Sequence, residues 1–162
     1  MNLAYYRAGR EPEHRALQDF DRNRHANFWR AVSGNSIDIC FLEWCKLFAD
    51  QKGKHHWRTI VSDPDDFKTQ LLSHLGIEDA VFQREIDVIR RYRDKFLAHL
   101  DSDETMNIPG LEIAKKAVWF YYAHVVRYEA QSSDVVGIPA ELDSGYTQWD
   151  KEARTVYSHN TQ

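Results

Sequence analysis

The chain has 162 residues, of which 43% are hydrophobic, 13% aromatic and 28% charged, and with a mean hydropathy of -0.64 this is the composition of one soluble globular domain rather than a disordered chain. Seven glycines and four prolines supply too few turn signals for an all-β scaffold. A formal charge of -4 and a pI near 6.0 weigh against indiscriminate wrapping of nucleic acid but leave room for a small basic cleft. The charge is uneven. Residues 129 to 162 hold six acids against two bases, so residues 1 to 128 are neutral.

The first predicted helix runs from about Pro12 to Val32, with Leu17, Phe20, Phe28 and Val32 near helical spacing and Ser33-Gly34-Asn35 as its end. The second starts at Ser36, an N-cap in this reading, and puts Ile37, Phe41, Trp44, Cys45 and Phe48 on one face. Cys40 and Cys45 lie in that stretch and read as buried thiols, since their spacing fits neither a disulfide nor zinc. After Lys52-Gly53-Lys54, the run HHWRTIV is either a helical turn or a connector. Asp63-Pro64-Asp65-Asp66 then caps a short helix that Gly76 closes.

A fourth helix is predicted over about Glu78 to Leu100, with Phe82, Ile86, Ile89, Phe96 and Leu100 forming a stripe whose missing member is Arg93. At 100° per residue, Arg93 stands within about 60° of all five apolar residues, so a guanidinium occupies the face meant to be buried. It is either a long side chain reaching out from the core edge, a structural ion pair, or a functional arginine in a cleft. Arg90 and Asp94 have the i,i+4 spacing of an ion pair. A fifth helix follows Pro109-Gly110, with a seam at Leu111, Ala114, Val118, Tyr121, Val125 and Tyr128; His124 on it reads as a core histidine. The fold class expected is all-α, a single-domain bundle of about five helices over residues 1–131. An irregular acidic tail over 132–162 has a possible short helix between Thr147 and Tyr157.

The segment YRDKFLAHLD gathers Arg93, Asp94, Lys95, His99 and Asp101. In a straight helix Arg93 and His99 differ by about 240° and about 9 Å of rise, so each needs a partner from elsewhere or a helix that ends between them. His99 also has a plain reading, a helix-end histidine bonded to Asp103. Lys52, Lys54 and Arg58 with His55 and His56 form a small basic patch, read as either solvated surface or contacts to a phosphate backbone. No HExxH, paired CxxC, glycine-rich phosphate loop or GxSxG is present, so no metal and no cofactor is expected, and neither is metalloprotease, zinc-ribbon, P-loop or α/β-hydrolase chemistry. The apolar stretches are too short for a membrane span and the thiols suit a reducing compartment, so a cytoplasmic protein is expected.

The Arg-x5-His arrangement with an acid right after the arginine, near the end of one long helix and before another, resembles the HEPN superfamily (higher eukaryote and prokaryote nucleotide-binding). YRDKFLAHLD, with AVWFYYAHVV downstream and LEWCKLFAD and HHW upstream, resembles its abortive-infection branch, over roughly Ser36 to Tyr128. The resemblance implies an all-α bundle that forms a homodimer. It further implies a metal-independent endoribonuclease acting on RNA, a toxin or phage-defence effector with an antitoxin protein as a possible partner. By motif position it nominates Arg93 for binding phosphate, His99 as general acid or base and Asp94 as the polar group that orients them; Lys95 and Arg90 beside the motif, and Lys52, Lys54 and Arg58 of the basic patch, are the candidate RNA contacts. Imidazole, with an ordinary pKa of about 6.5, suits a reaction in which a ribose 2′-hydroxyl loses a proton and a leaving oxygen gains one. Arginine offers a permanent fork of donors to phosphate oxygens. The sequence departs from the toxin subgroup with tyrosine two residues after the histidine, for Asp101 stands there. The alternative is a HEPN-like module without catalysis, serving as a dimeric interaction or nucleotide-binding protein.

Overall fold

The computed structural model describes residues 1–98, 107–131, 137–139 and 141–160. They are all-helical and contain no strand. The order is α1 (Asn2–Gly9), a 3-10 helix (Pro12–Gln18), α2 (Ala26–Phe48), α3 (Trp57–Ile60), α4 (Pro64–Leu75), α5 (Asp79–Tyr92), α6 (Glu112–His124) and α7 (Leu142–His159). Two of these helices widen into π-helical turns at their ends, α5 over Arg93–Ala98 and α6 over Val125–Glu129. The described residues thus form eight helices where the sequence predicts about five.

The largest departure concerns the first predicted helix. Its start is the 3-10 helix, and the chain then turns, because short polar side chains compete for backbone groups: Asn23 donates to the Leu17 carbonyl at 3.0 Å, Asp19 accepts from Asp21 N at 2.9 Å, and Asn23 accepts from His25 N at 2.9 Å. Phe20 and Phe28, placed on the apolar stripe by spacing, are exposed. The predicted break at Ser33-Gly34-Asn35 lies inside α2, a continuous 23-residue helix. Ser36 does not cap it but bonds back to the Val32 carbonyl at 2.7 Å, and one interior glycine costs only about 1 kcal/mol against alanine.

The chain divides into two compact units, one of residues Met1–Cys40 with the chain from Asp143 onward, the other of Phe41–Leu142. The short helix foreseen in the tail is 18 residues long. In the first unit Ala8, Leu17 and Trp29 pack with Ala153 and Tyr157 of α7, and the Tyr157 ring stacks on buried His14 at 5.4 Å. His14 is held by the Ala8 carbonyl at 2.8 Å and Ser158 Oγ at 3.2 Å. Tyr157 Oη, fully buried, has no hydrogen-bond partner among the described residues.

The second unit follows its sequence pattern more closely. Asp63 caps α4 by accepting from Asp66 N at 3.1 Å, Pro64 opens the helix, and Gly76 ends it with φ 65°, a left-handed conformation that glycine takes without strain. Phe82, Ile86, Ile89 and Tyr92 form the buried face of α5, while the Phe96 side chain and Leu100 lie outside the described part. Phe41 meets Tyr92 at 4.6 Å and Phe48 meets Phe82 at 6.0 Å, so α2 packs along α5. Trp44 Nε1 donates to the Ala114 carbonyl at 3.2 Å, joining α2 to α6. Cys45 is buried and Cys40 half-buried; both are free, and burial pushes both thiols up to about 11, which disfavours the thiolate near neutral pH. Among the described residues no helix is long and apolar enough to cross a membrane.

Candidate functional site

The end of α2 is built to project an acid. Ala49 N and Asp50 N both donate to the Cys45 carbonyl at 2.9 Å, and Gly53 N donates to the Asp50 carbonyl at 2.7 Å, folding residues 50–53 into a tight turn. Only glycine fits position 53, because a Cβ there would come within 2.9 Å of that carbonyl. The turn is pinned by His56, which is buried, bonds the Phe48 carbonyl at 3.3 Å and caps α3 by accepting from Arg58 N. Burial pulls the His56 pKa below its ordinary value against the pull of that carbonyl, so this histidine is a structural anchor and not part of the basic surface patch.

Against the turn stands Arg93, the first residue past α5. Its Nη1 donates to Asp50 Oδ1 at 2.6 Å and its Nε to Asp94 Oδ1 at 2.9 Å. The Arg93 side chain is 18% exposed, against 38% for Asp50 and 54% for Asp94. Burial works against the guanidinium's charge, and the bonds to Asp50 and Asp94 more than offset it, leaving its pKa above the ordinary arginine value. The apolar stripe of α5 therefore does carry a charge on its buried side, and that charge is neutralised in place.

Beside this pair lies a surface cleft of about 390 Å³ lined by Ala49, Asp50, Gln51, Lys52, Gly53 and Arg90. The structure thus brings together Arg93, Asp94, Arg90 and Lys52 of the residues the sequence nominated. The expected Arg90–Asp94 pair does not form: Arg90 bonds Asp87 at 2.7 Å, one turn earlier, and Asp94 bonds its neighbour Arg93. Lys95 is half-buried. Lys54 and Arg58 are exposed and do not line the cleft; Arg58 lies over the Trp57 ring at 5.1 Å. His99, Asp101 and Asp103 lie outside the described residues.

Sequence reasoning missed Asp50. It is 43 residues from Arg93, and no spacing rule links two such positions. The only local signal was an acid just past the apolar face of the second helix.

A second polar cluster stands at the end of α6. Residues five apart lie about 140° apart on an α-helix, but the wider π turn over Val125–Glu129, closed by Ala130 N donating to the Val125 carbonyl at 2.9 Å, brings Glu129 round to His124. Glu129 Oε1 is 3.2 Å from His124 Nε2 and accepts from Ser62 N at 3.0 Å, and Oε2 accepts from Ser62 Oγ at 2.6 Å. The His124 ring is enclosed by Phe67 at 4.8 Å and Tyr128 at 5.1 Å. This cluster fastens the end of α6 to the α3–α4 connection, in keeping with the reading of His124 as a packed histidine. Among the described residues no group of His, Cys, Asp and Glu could hold a metal ion.

Comparison with known proteins adds no family: no family model, no curated protein and no solved structure matches the chain.

Proposed function

We propose that the protein is a metal-independent endoribonuclease of HEPN type, a toxin or phage-defence effector that cuts RNA through Arg93 and His99, with Asp94 orienting the arginine. The observation that supports this is the half-buried guanidinium of Arg93, bonded to a cleft residue, with Arg90 and Lys52 on the cleft wall. A partly buried charge beside a cleft marks a candidate functional group, and forked donors beside two further cations suit a phosphodiester. In this reading Arg93 binds the scissile phosphate and stabilises charge developing on it, while the His99 imidazole carries a proton to or from the reacting oxygens. The active species is a homodimer, a symmetric pair that places two motifs on one groove, and an antitoxin protein is the partner that restrains it.

The test is cleavage of single-stranded RNA by purified protein in EDTA. Products should end in 2′,3′-cyclic phosphate, and Arg93→Ala or His99→Ala should each lower the rate by about 10²-fold or more. Equal activity in wild type and both variants would point to a contaminant.

A second reading, a HEPN-like dimeric interaction or nucleotide-binding module without catalysis, draws on one observation: Arg93 is already engaged by two carboxylates. Pure wild-type dimer inert on diverse RNAs would favour it.

A further inference from the structure

The way Arg93 is held bears on how its cleft takes a ligand. A guanidinium presents two bidentate edges to a phosphate or carboxylate, one formed by Nε and Nη2 and the other by Nη1 and Nη2. Asp94 takes Nε, one donor of the first edge, and Asp50 takes Nη1, one donor of the second. Each edge is thus half occupied, and an incoming phosphate cannot form a forked pair until one acid moves away. The two acids differ in what lies behind them. Asp94 is on the helix surface next to Arg93 in sequence, whereas Asp50 lines the cleft, in a turn that also supplies Lys52. A phosphate in the cleft would meet Lys52 and Arg90 first, and the Asp50 carboxylate would stand between it and Arg93.

We infer that Asp50 is an acidic latch on the cleft: it competes with a backbone phosphate of single-stranded RNA for the Nη1–Nη2 edge of Arg93, and RNA binds fully only by displacing it. This rests on the RNA reading of the same site. The latch keeps the cleft nearly neutral when empty, in line with the neutral charge of residues 1–128, and opens in favour of ligands that bring enough negative charge to replace the carboxylate. Lys52 and Arg90 supply the encounter; the exchange at Arg93 supplies the selection against weak anions.

The experiment measures binding apart from cleavage. The probe is a short fluorescein-labelled single-stranded oligonucleotide with 2′-O-methyl riboses, which lacks the attacking hydroxyl, followed by fluorescence anisotropy in EDTA at low salt. Asp50→Asn, nearly isosteric, should bind about tenfold tighter than wild type, and the salt dependence should steepen by about one counterion as the new phosphate contact forms. The gain must vanish in the Asp50→Asn/Arg93→Ala double variant, since it comes from the freed edge and not from general charge. Binding by Asp50→Asn no tighter than wild type overturns the latch, and so does a gain that persists without Arg93. Circular dichroism checks the fold of each variant. Should Asp50→Asn unfold, Asp50→Ser removes the same carboxylate with a smaller side chain and must show a several-fold gain, again lost with Arg93→Ala; no gain there overturns the latch equally. Unmodified RNA separates the two ideas. Tighter binding by Asp50→Asn with no cleavage by any form removes the nuclease reading and keeps the latch, whereas cleavage without any gain in binding does the reverse.

Discussion

The unit made from the two ends of the chain and the unit made from residues 41–142 differ in how one buried polar atom is treated. In the first, Tyr157 is packed among Ala8, Leu17, Trp29 and Ala153, and its hydroxyl is buried without a partner among the described residues. In the second, the polar groups at the core edge are tied off one by one: Trp44 to the Ala114 carbonyl, His56 to the Phe48 carbonyl, Arg93 to Asp50, and Glu129 to Ser62 and His124. The first unit ties off buried His14 in the same way, to the Ala8 carbonyl and Ser158 Oγ, and leaves the Tyr157 hydroxyl out. In the second, the compensated Arg93–Asp50 pair adjoins the cleft. A functional site is better sought where burial has been compensated than where it has merely been tolerated.

This contrast can be broken most directly at Tyr157. Tyr157→Ala should destabilise the protein by about 3–5 kcal/mol, the range for emptying a buried aromatic site, measured by denaturant unfolding. Gly9→Ala comes next. A Cβ there would come within 2.6 Å of Tyr157 Oη and 2.8 Å of its Cζ, and because that ring is fully buried it cannot swing aside, so a loss of about 1–3 kcal/mol is expected. Tyr157→Phe should have the opposite sign, a gain of about 1 kcal/mol, since it removes a desolvated hydroxyl that makes no bond. A loss on Tyr157→Phe would show that the hydroxyl is satisfied after all, and the two units would then differ less than described.

The smallest effect expected sharpens the second unit. Glu129 is held below the ordinary carboxylate range by the Ser62 hydroxyl first, then the Ser62 N–H, with His124 adding to it. A depressed acid contributes stability that is present above its ordinary pKa and lost as pH falls through its lowered one. Ser62→Ala removes the strongest of these bonds and raises the Glu129 pKa toward its ordinary value, so stability at neutral pH should fall slightly and the difference from wild type should close as pH drops through the carboxylate range. A stability at neutral pH unchanged from wild type would mean that the end of α6 is held by its aromatic contacts alone.

What was legible in the sequence follows the distance over which each feature acts. The cap, proline and closing glycine of α4 act within one turn, and all three were readable. The stripe of α5 put Arg93 on a buried face, a statement about 3.6-residue periodicity that needs no knowledge of partners. Tyr5 reaching Glu152 and His14 reaching Ser158 join positions 147 and 144 residues apart; α7 therefore read as a tail, its few apolar residues having no visible counterpart. Asp50 escaped for the same reason. The breaks were misjudged where local and tertiary preferences disagreed: Gly34 reads as a stop, yet α2 runs through it.

The π turn after His124 has a consequence for how the chain tolerates changes in length. Such a turn holds one residue more than an α-helix needs, so deleting a single residue between Val125 and Tyr128 would let α6 continue in ordinary phase with Glu129 four residues after His124, about 40° away around the axis. A frame-preserving deletion of one codon there should thereby keep Glu129 on the His124 face, and the same deletion one turn earlier would instead rotate the aromatic face.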